Sequence, residues 1–328
     1  MSIYYEITPV DTLFFRGAEP LEAGLLANTG LFPPPVSVIS GALRTAVLQQ
    51  RNISFEDYKK NKISEEVLKL VGQSGTQAPF YITAVLLKRD EVIYAPAPYS
   101  WFIDNSKPVE GSGFAGKTVY SADYCNTGAM QQLSICTSIE HLPLAVLEGK
   151  ELGLGGNWIK LELLQQQTQF KLSPGDICTP SELCCTENRT GISLLDEKTN
   201  RPTRQVRDGA LFTAGHVRLN NGVSIIIGIS QDCGLLDYGF LTLGGEQRMS
   251  GYTKIELNMP NDNGNLYVSL SPVELTDNVS SKVFCAGKAV TIAGWDLHKK
   301  FHKPSRTWLP AGTVFTEKIN KQCISLAQ

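Results

Sequence analysis

The sequence has no apolar run near the ~18 to 20 residues that a bilayer-crossing helix needs. Its opening, MSIYYEITPVD, has neither the basic stretch nor the apolar core of a secretory leader, so a cytoplasmic chain is expected. Cysteine pairs at C-x-x-C spacing are missing too: the eight cysteines stand at 125, 136, 178, 184, 185, 233, 285 and 323. The vicinal Cys184 and Cys185 do not make a disulfide framework or a zinc knot, so reduced structural thiols are expected. Histidine is scarce, with four in 328 residues, and no H-E-x-x-H, G-x-S-x-G or EF-hand loop occurs. No excess of one charge exists either. Thirty basic against thirty-two acidic side chains leave a formal net charge of -2, so nothing global attracts a polyanion and any nucleic-acid contact must be local.

Apolar residues make up 42% and charged residues 19%, the balance of a folded chain rather than a disordered one. Leu297 to Thr316 contains no acid but carries Lys299, Lys300, Lys303 and Arg306, with Phe301, Trp308 and Phe315 interleaved. Ile3, Tyr5 and Ile7 alternate as in a strand. After Pro33 to Pro35, residues Ile39, Leu43, Ala46 and Val47 recur at helical spacing, and proline is tolerated at such a helix start. The other stripe of this helix, Ser37, Ser40, Gly41, Arg44 and Arg51, is small and basic, a face open to a ligand. Ser64 with Glu65 and Glu66 opens a second helix that Gly72 can end. A hairpin is expected across Arg89 and Asp90. Another is expected across Asn221 and Gly222, joining Leu211–Leu219 to the run VSIIIGIS. Residues 96 to 156 are irregular. Few helices among antiparallel strands imply an α+β fold.

Gly111 to Thr118, GSGFAGKT, satisfies the phosphate-loop pattern outright. The chemistry also requires a buried strand before the loop and, after it, a helix whose N-terminus receives the phosphate. The flanks are SKPVE before it and VYSADYCNTG after it, so a glycine-rich surface loop is expected and an NTPase is the less favoured alternative.

Six segments resemble, in order, one family: the RAMP-superfamily third subunit of type III-B CRISPR effector (Cmr) complexes. They are DTLFFRGAEP at 11 to 20, LFPPPVSVISGALRTAVL at 31 to 48, APAPYSWF at 95 to 102, NRTGISLL through GALFTAGHVRL at 188 to 219, LGGEQRM at 243 to 249, and AGWDLHKKFHKPSRTWLPAGTVF at 293 to 315. The resemblance implies two ferredoxin-like, RRM-related βαββαβ domains with large insertions and a glycine-rich loop, here divided near residue 160 into 1–160 and 161–328. It further implies a non-catalytic subunit without a cofactor. Such a subunit grips the 5′ tag of crRNA and docks the large polymerase/cyclase-like subunit and a backbone RAMP subunit.

A single-stranded RNA leader needs cations for phosphates, flat groups for bases and close main-chain approach. Arg44 can fork onto a phosphate, Gly41 removes a side chain, Ser37 lies near a helix start, and Arg16 can close over the same place. The competing role for Arg44 is a pair with Asp11 or Glu19. Gly244 and Gly245 permit main-chain N–H groups to face phosphate oxygens beside Arg248; the competing reading is a hairpin turn with Arg248 paired to Glu246. His298, Lys299, Lys300, His302, Lys303 and Arg306 form the most cationic window, with Trp308 as a stacking plane. A second alternative is a metal-independent RAMP endoribonuclease, which needs a histidine base beside a 2′-hydroxyl.

Overall fold

The computed structural model describes residues 2–15, 31–106, 113–126, 141–144, 149–166, 169–194, 206–260, 264–296 and 301–327. They form a strand-rich mixed α/β protein. Its contacts divide into two compact units, each gathered from three stretches of chain: Met1–Ile82, Leu183–Glu256 and Thr291–Arg306 in the first, and Thr83–Glu182, Leu257–Val290 and Thr307–Gln328 in the second. Residue 160 lies inside the second unit, because the chain leaves the first unit and later returns to it.

In the first unit, β1 (Ile3–Pro9) leads towards helix α1 (Val36–Gln50). Four further strands come next: β2 (Cys184–Leu194), β3 (Val206–Leu219), β4 (Val223–Ile229) and β5 (Tyr238–Thr242), before β6 (Met249–Ile255). β1 pairs antiparallel on both sides, placing Ile7 opposite Ile225 of β4 and Tyr252 of β6. β5 extends this sheet beyond β6 with Phe240 opposite Gly251. Period two sends Tyr5, Ile7, Leu241 and Tyr252 to one face, where all four are buried. At α1, Gln50 donates to the Tyr252 hydroxyl, and the Tyr5 and Tyr252 rings meet edge to face at 5.9 Å. Ile39, Leu43, Ala46 and Val47 are buried residues of α1, as their spacing requires.

Local signals set the next elements. The Ser64 hydroxyl accepts from Val67 N–H at the start of helix Glu65–Val71, and Gly72 ends it at φ +74°. Strands Ile82–Arg89 and Val92–Pro96 form the expected hairpin, with Asp90 at φ +55°. The hairpin expected across Asn221 and Gly222 is not found. Its turn exists, with Val223 N–H donating to Asn220 O at 3.0 Å and Gly222 at φ +76°. The flanking strands part: β3 pairs with β2, placing His216 opposite Glu187, while β4 pairs with β1. Every residue of β4 is buried. So continuous an apolar run belongs inside a sheet, where a two-stranded ribbon would leave one face wet.

The second unit extends strand Val92–Pro96 with Trp158–Lys160 and then Ile177–Cys178. Another sheet of this unit runs Val283–Cys285, Val314–Phe315, Leu266–Ser269, Cys323–Leu326. Val273, Val279, Leu309, Phe315 and Cys323 pack as a core cluster. The phosphate-loop pattern falls in this unit, and directly after its Thr118 the chain enters strand Val119–Ser121, paired with Trp101–Asp104. Lys117 is buried and donates to the Asn105 amide oxygen at 2.5 Å. Among the described residues, a strand stands where the helix of a phosphate loop must begin. No helix among the described residues is long and apolar enough to cross a membrane.

Candidate nucleic-acid interface

Beyond β1 the chain runs on as Val10 to Phe15, wedged between β3 and the turn that joins β5 to β6. Leu13 and Val217 exchange N–H···O bonds of 2.8 Å, and Gly245 N–H donates to Phe14 O at 2.7 Å. This close passage explains the glycine pair. Gly244 has φ +87°, and a Cβ there would stand 2.4 Å from Phe14 O; one on Gly245 would stand 2.8 Å from the Phe14 ring. Glu246 and Gln247 come next with φ of +55° and +52°, and the turn closes through Leu243 N–H to Arg248 O at 2.8 Å. The glycines therefore admit the protein's own main chain.

Three guanidinium groups gather where this segment meets the turn. Asp11 accepts from Arg189 and Arg218 at 2.9 Å each and pairs with Arg248 at 3.4 Å. Glu187 accepts from Arg189 at 2.8 Å and Arg218 at 2.6 Å, and Glu246 holds Arg248 at 2.5 Å. Arg248 thus takes the turn partner anticipated for it. Below them His216, 1% exposed, stacks on Phe14 at 4.9 Å, with Nδ1 3.1 Å from the Thr12 hydroxyl and Nε2 3.6 Å from Glu246. Hydrogen bonds from Arg189, then Arg218, hold the Asp11 carboxyl down at about 2. Burial lowers the His216 pKa, which favours the uncharged ring. Three arginines against three carboxylates leave a locally neutral cluster of aimed, planar donors.

The depressed Asp11 value has a testable consequence. Its stabilisation is complete above the ordinary carboxylate range and disappears as pH falls towards 2. Thermal midpoints of the parent and Asp11→Asn are expected to differ by a constant amount from pH 6 to about 4.5 and to converge below it. The gap is small and shrinks with added salt, since these ion pairs are half in water.

The other expected site residues are dispersed. Ser37 and Gly41 are exposed on α1. Arg44 is engaged elsewhere: it donates to Thr76 O at 2.9 Å, to Gln73 O at 2.6 Å and to the Tyr58 hydroxyl, while its Nε has no partner. These acceptors replace the carboxylate partners considered for it, Asp11 and Glu19. Arg44→Ala is expected to cost about 2–3 kcal/mol in urea unfolding, because it strips charge-assisted bonds from two carbonyls and a phenol. His302 and Lys303 lie on strand Phe301–Leu309, where Arg306 is exposed. Arg16, His298, Lys299 and Lys300 fall outside the described residues. Sequence reasoning missed Arg189 and Arg218, although both lie in segments that carry the family resemblance. The Glu187-x-Arg189 spacing, which sets opposite charges on one face of a strand, was the available signal.

No curated protein matches this chain in sequence. Among solved structures, a chain of the type III-B Cmr-beta complex bound to cognate target RNA and AMPPnP is similar over 95% of this chain and 85% of its own, with 16% identity and a TM-score of 0.52. A chain of the same complex bound to cognate target RNA alone is similar over 96% and 86%, again at 16% identity and TM-score 0.52. The fold is thus shared with a chain of the type III-B Cmr-beta structures. The family model described as CRISPR-associated protein (Cas_Cmr3) matches residues 5–266. This chain belongs to the Cas_Cmr3 family and is a type III CRISPR effector subunit.

Proposed function

We propose that the chain is the non-catalytic subunit of a type III-B complex that binds the 5′ tag of crRNA and docks the large polymerase/cyclase-like subunit and a backbone RAMP subunit. The convergence of Arg189, Arg218 and Arg248 on Asp11 carries this reading. Each guanidinium is oriented by a carboxylate, and a phosphate offers the same bidentate acceptor geometry. RNA phosphates exchange for the carboxylates without reorienting the donors. Because the resting cluster is neutral, random RNA gains little, and the tag binds through placement rather than bulk charge. Two ferredoxin-like domains are part of the same proposal, supported by the antiparallel order β4-β1-β6-β5 with β1 inside and α1 on one face.

The non-catalytic role is supported by His216, which is stacked and buried where a 2′-hydroxyl does not reach it. The test is incubation of the purified chain with tag-containing repeat RNA in chelator, followed by sequencing of the RNA that co-purifies with the complex. Retention of intact, tag-bearing RNA is the expected result. Metal-independent cleavage that His298→Ala or His302→Ala abolishes would establish the endoribonuclease alternative.

A further inference from the structure

The sheet face opposite α1 carries a strip that the RNA site does not use. Tyr238 and Phe240 alternate along β5, 77% and 65% exposed, and the exposed Leu236 precedes the strand, its N–H donating to Gln50 Oε1 at 3.2 Å. The register places Phe240 opposite Gly251 and Thr242 opposite Met249, so Met249 shares this face. Val10 N–H donates to Met249 O at 3.1 Å, which brings the exposed Val10 alongside. A Cβ on Gly251 would touch the Phe240 ring at 3.9 Å, so the ring lies beside a bare stretch of backbone. Among the described residues β5 is also the last strand of its sheet.

We infer that Leu236, Tyr238, Phe240, Met249 and Val10 form the docking surface for an uncharged, apolar face of a neighbouring protein subunit. The inference rests on the reading of this chain as an effector subunit. Two observations choose the occupant. The first is area: these five side chains expose on the order of 600 Å², at the top of what a monomer shows in one patch and close to the ~800 Å² that one partner gives to a stable interface. The second is charge: none of the five is cationic. The flanking Asp237 is acidic and pairs with Lys254, Arg248 beside Met249 is held by Asp11 and Glu246, and Arg51 donates to Gly234 O. These five residues offer an RNA strand no cation for its phosphates, whereas an apolar protein surface meets aromatic rings and an adaptable thioether.

The test compares the full chain with Tyr238→Ser/Phe240→Ser, co-expressed with the remaining subunits of its complex and resolved by native mass spectrometry. The double variant is expected to lower the fraction of assembled complex at least tenfold, while its thermal midpoint and its affinity for tag RNA stay at parent values. The conservative pair Tyr238→Phe/Phe240→Tyr is expected to assemble like the parent, which separates lost surface from lost fold. Undiminished assembly of the serine variant overturns the inference. A fall in RNA affinity with assembly intact would make the strip a base-stacking platform instead, and a parent homodimer that the variant dissolves would make the occupant a second copy; either result also overturns it. Failure of the parent to bind tag RNA while it still assembles would sink the RNA reading and leave this surface standing.

Discussion

The double variant Arg189→Ala/Arg218→Ala is expected to bind tag-containing RNA at least about a hundredfold more weakly than the parent. Each arginine offers a charge-assisted bond to phosphate worth roughly 1.5–3 kcal/mol, and tenfold in affinity corresponds to about 1.4 kcal/mol. Removing both also leaves Asp11 and Glu187 facing the ligand with Arg248 alone to balance them, so repulsion adds to the lost contacts. Two lost phosphate contacts on a single strand lower the slope of log affinity against log salt by about 1.4. Asp11→Ala moves the balance the other way and is expected to raise affinity and steepen the slope. Filter binding across a salt titration of roughly 50 to 300 mM reads all three proteins. Equal slopes for parent and double variant would remove this cluster from the RNA path.

Elements written in local chemistry were legible from the sequence. The triple proline and the apolar spacing after it give α1, and Ser64 and Gly72 bound helix Glu65–Val71 at the residues named for those roles. Pairings between distant stretches were not legible. Asn221 and Gly222 specify a reversal but not what each arm meets afterwards, and the buried demands of β4 carried it to β1. The division into units was hidden for the same reason, since no local signal tells a chain to leave one sheet and return to it.

The site was half legible. Gly244, Gly245 and Arg248 were singled out for what they permit, and the structure places them beside the arginine cluster. What approaches the glycines was invisible, because Phe14 comes from the other end of the chain. Asp11 lies 178 and 207 positions from Arg189 and Arg218, and only the strand register makes them neighbours. Arg44 had the right charge on an open helix face, yet the loop at 72–77 offered it carbonyls first. A guanidinium near unsatisfied main-chain oxygens binds them, and no pattern of residue types foretells that loop's path.

Gly244→Ala and Gly41→Ala add the same methyl group and are expected to act in opposite directions. At Gly244 the backbone is left-handed and the new Cβ would meet a main-chain oxygen that cannot rotate away. Strain at such a φ costs about 1–2 kcal/mol, and relief of the clash must push the 12–15 segment off the turn. A total loss of about 3 kcal/mol in denaturant unfolding is expected. That displacement also carries Phe14 from His216 and Asp11 from its arginines, so RNA affinity falls with stability. At Gly41 the helix face is open, with nothing within 4 Å of the added atom. Alanine there should stabilise by about 0.5–1 kcal/mol through helix propensity and leave RNA affinity unchanged. A stabilised Gly41→Ala protein that loses RNA affinity would return the α1 face to the RNA path, because only a ligand lying against that glycine could feel the methyl group.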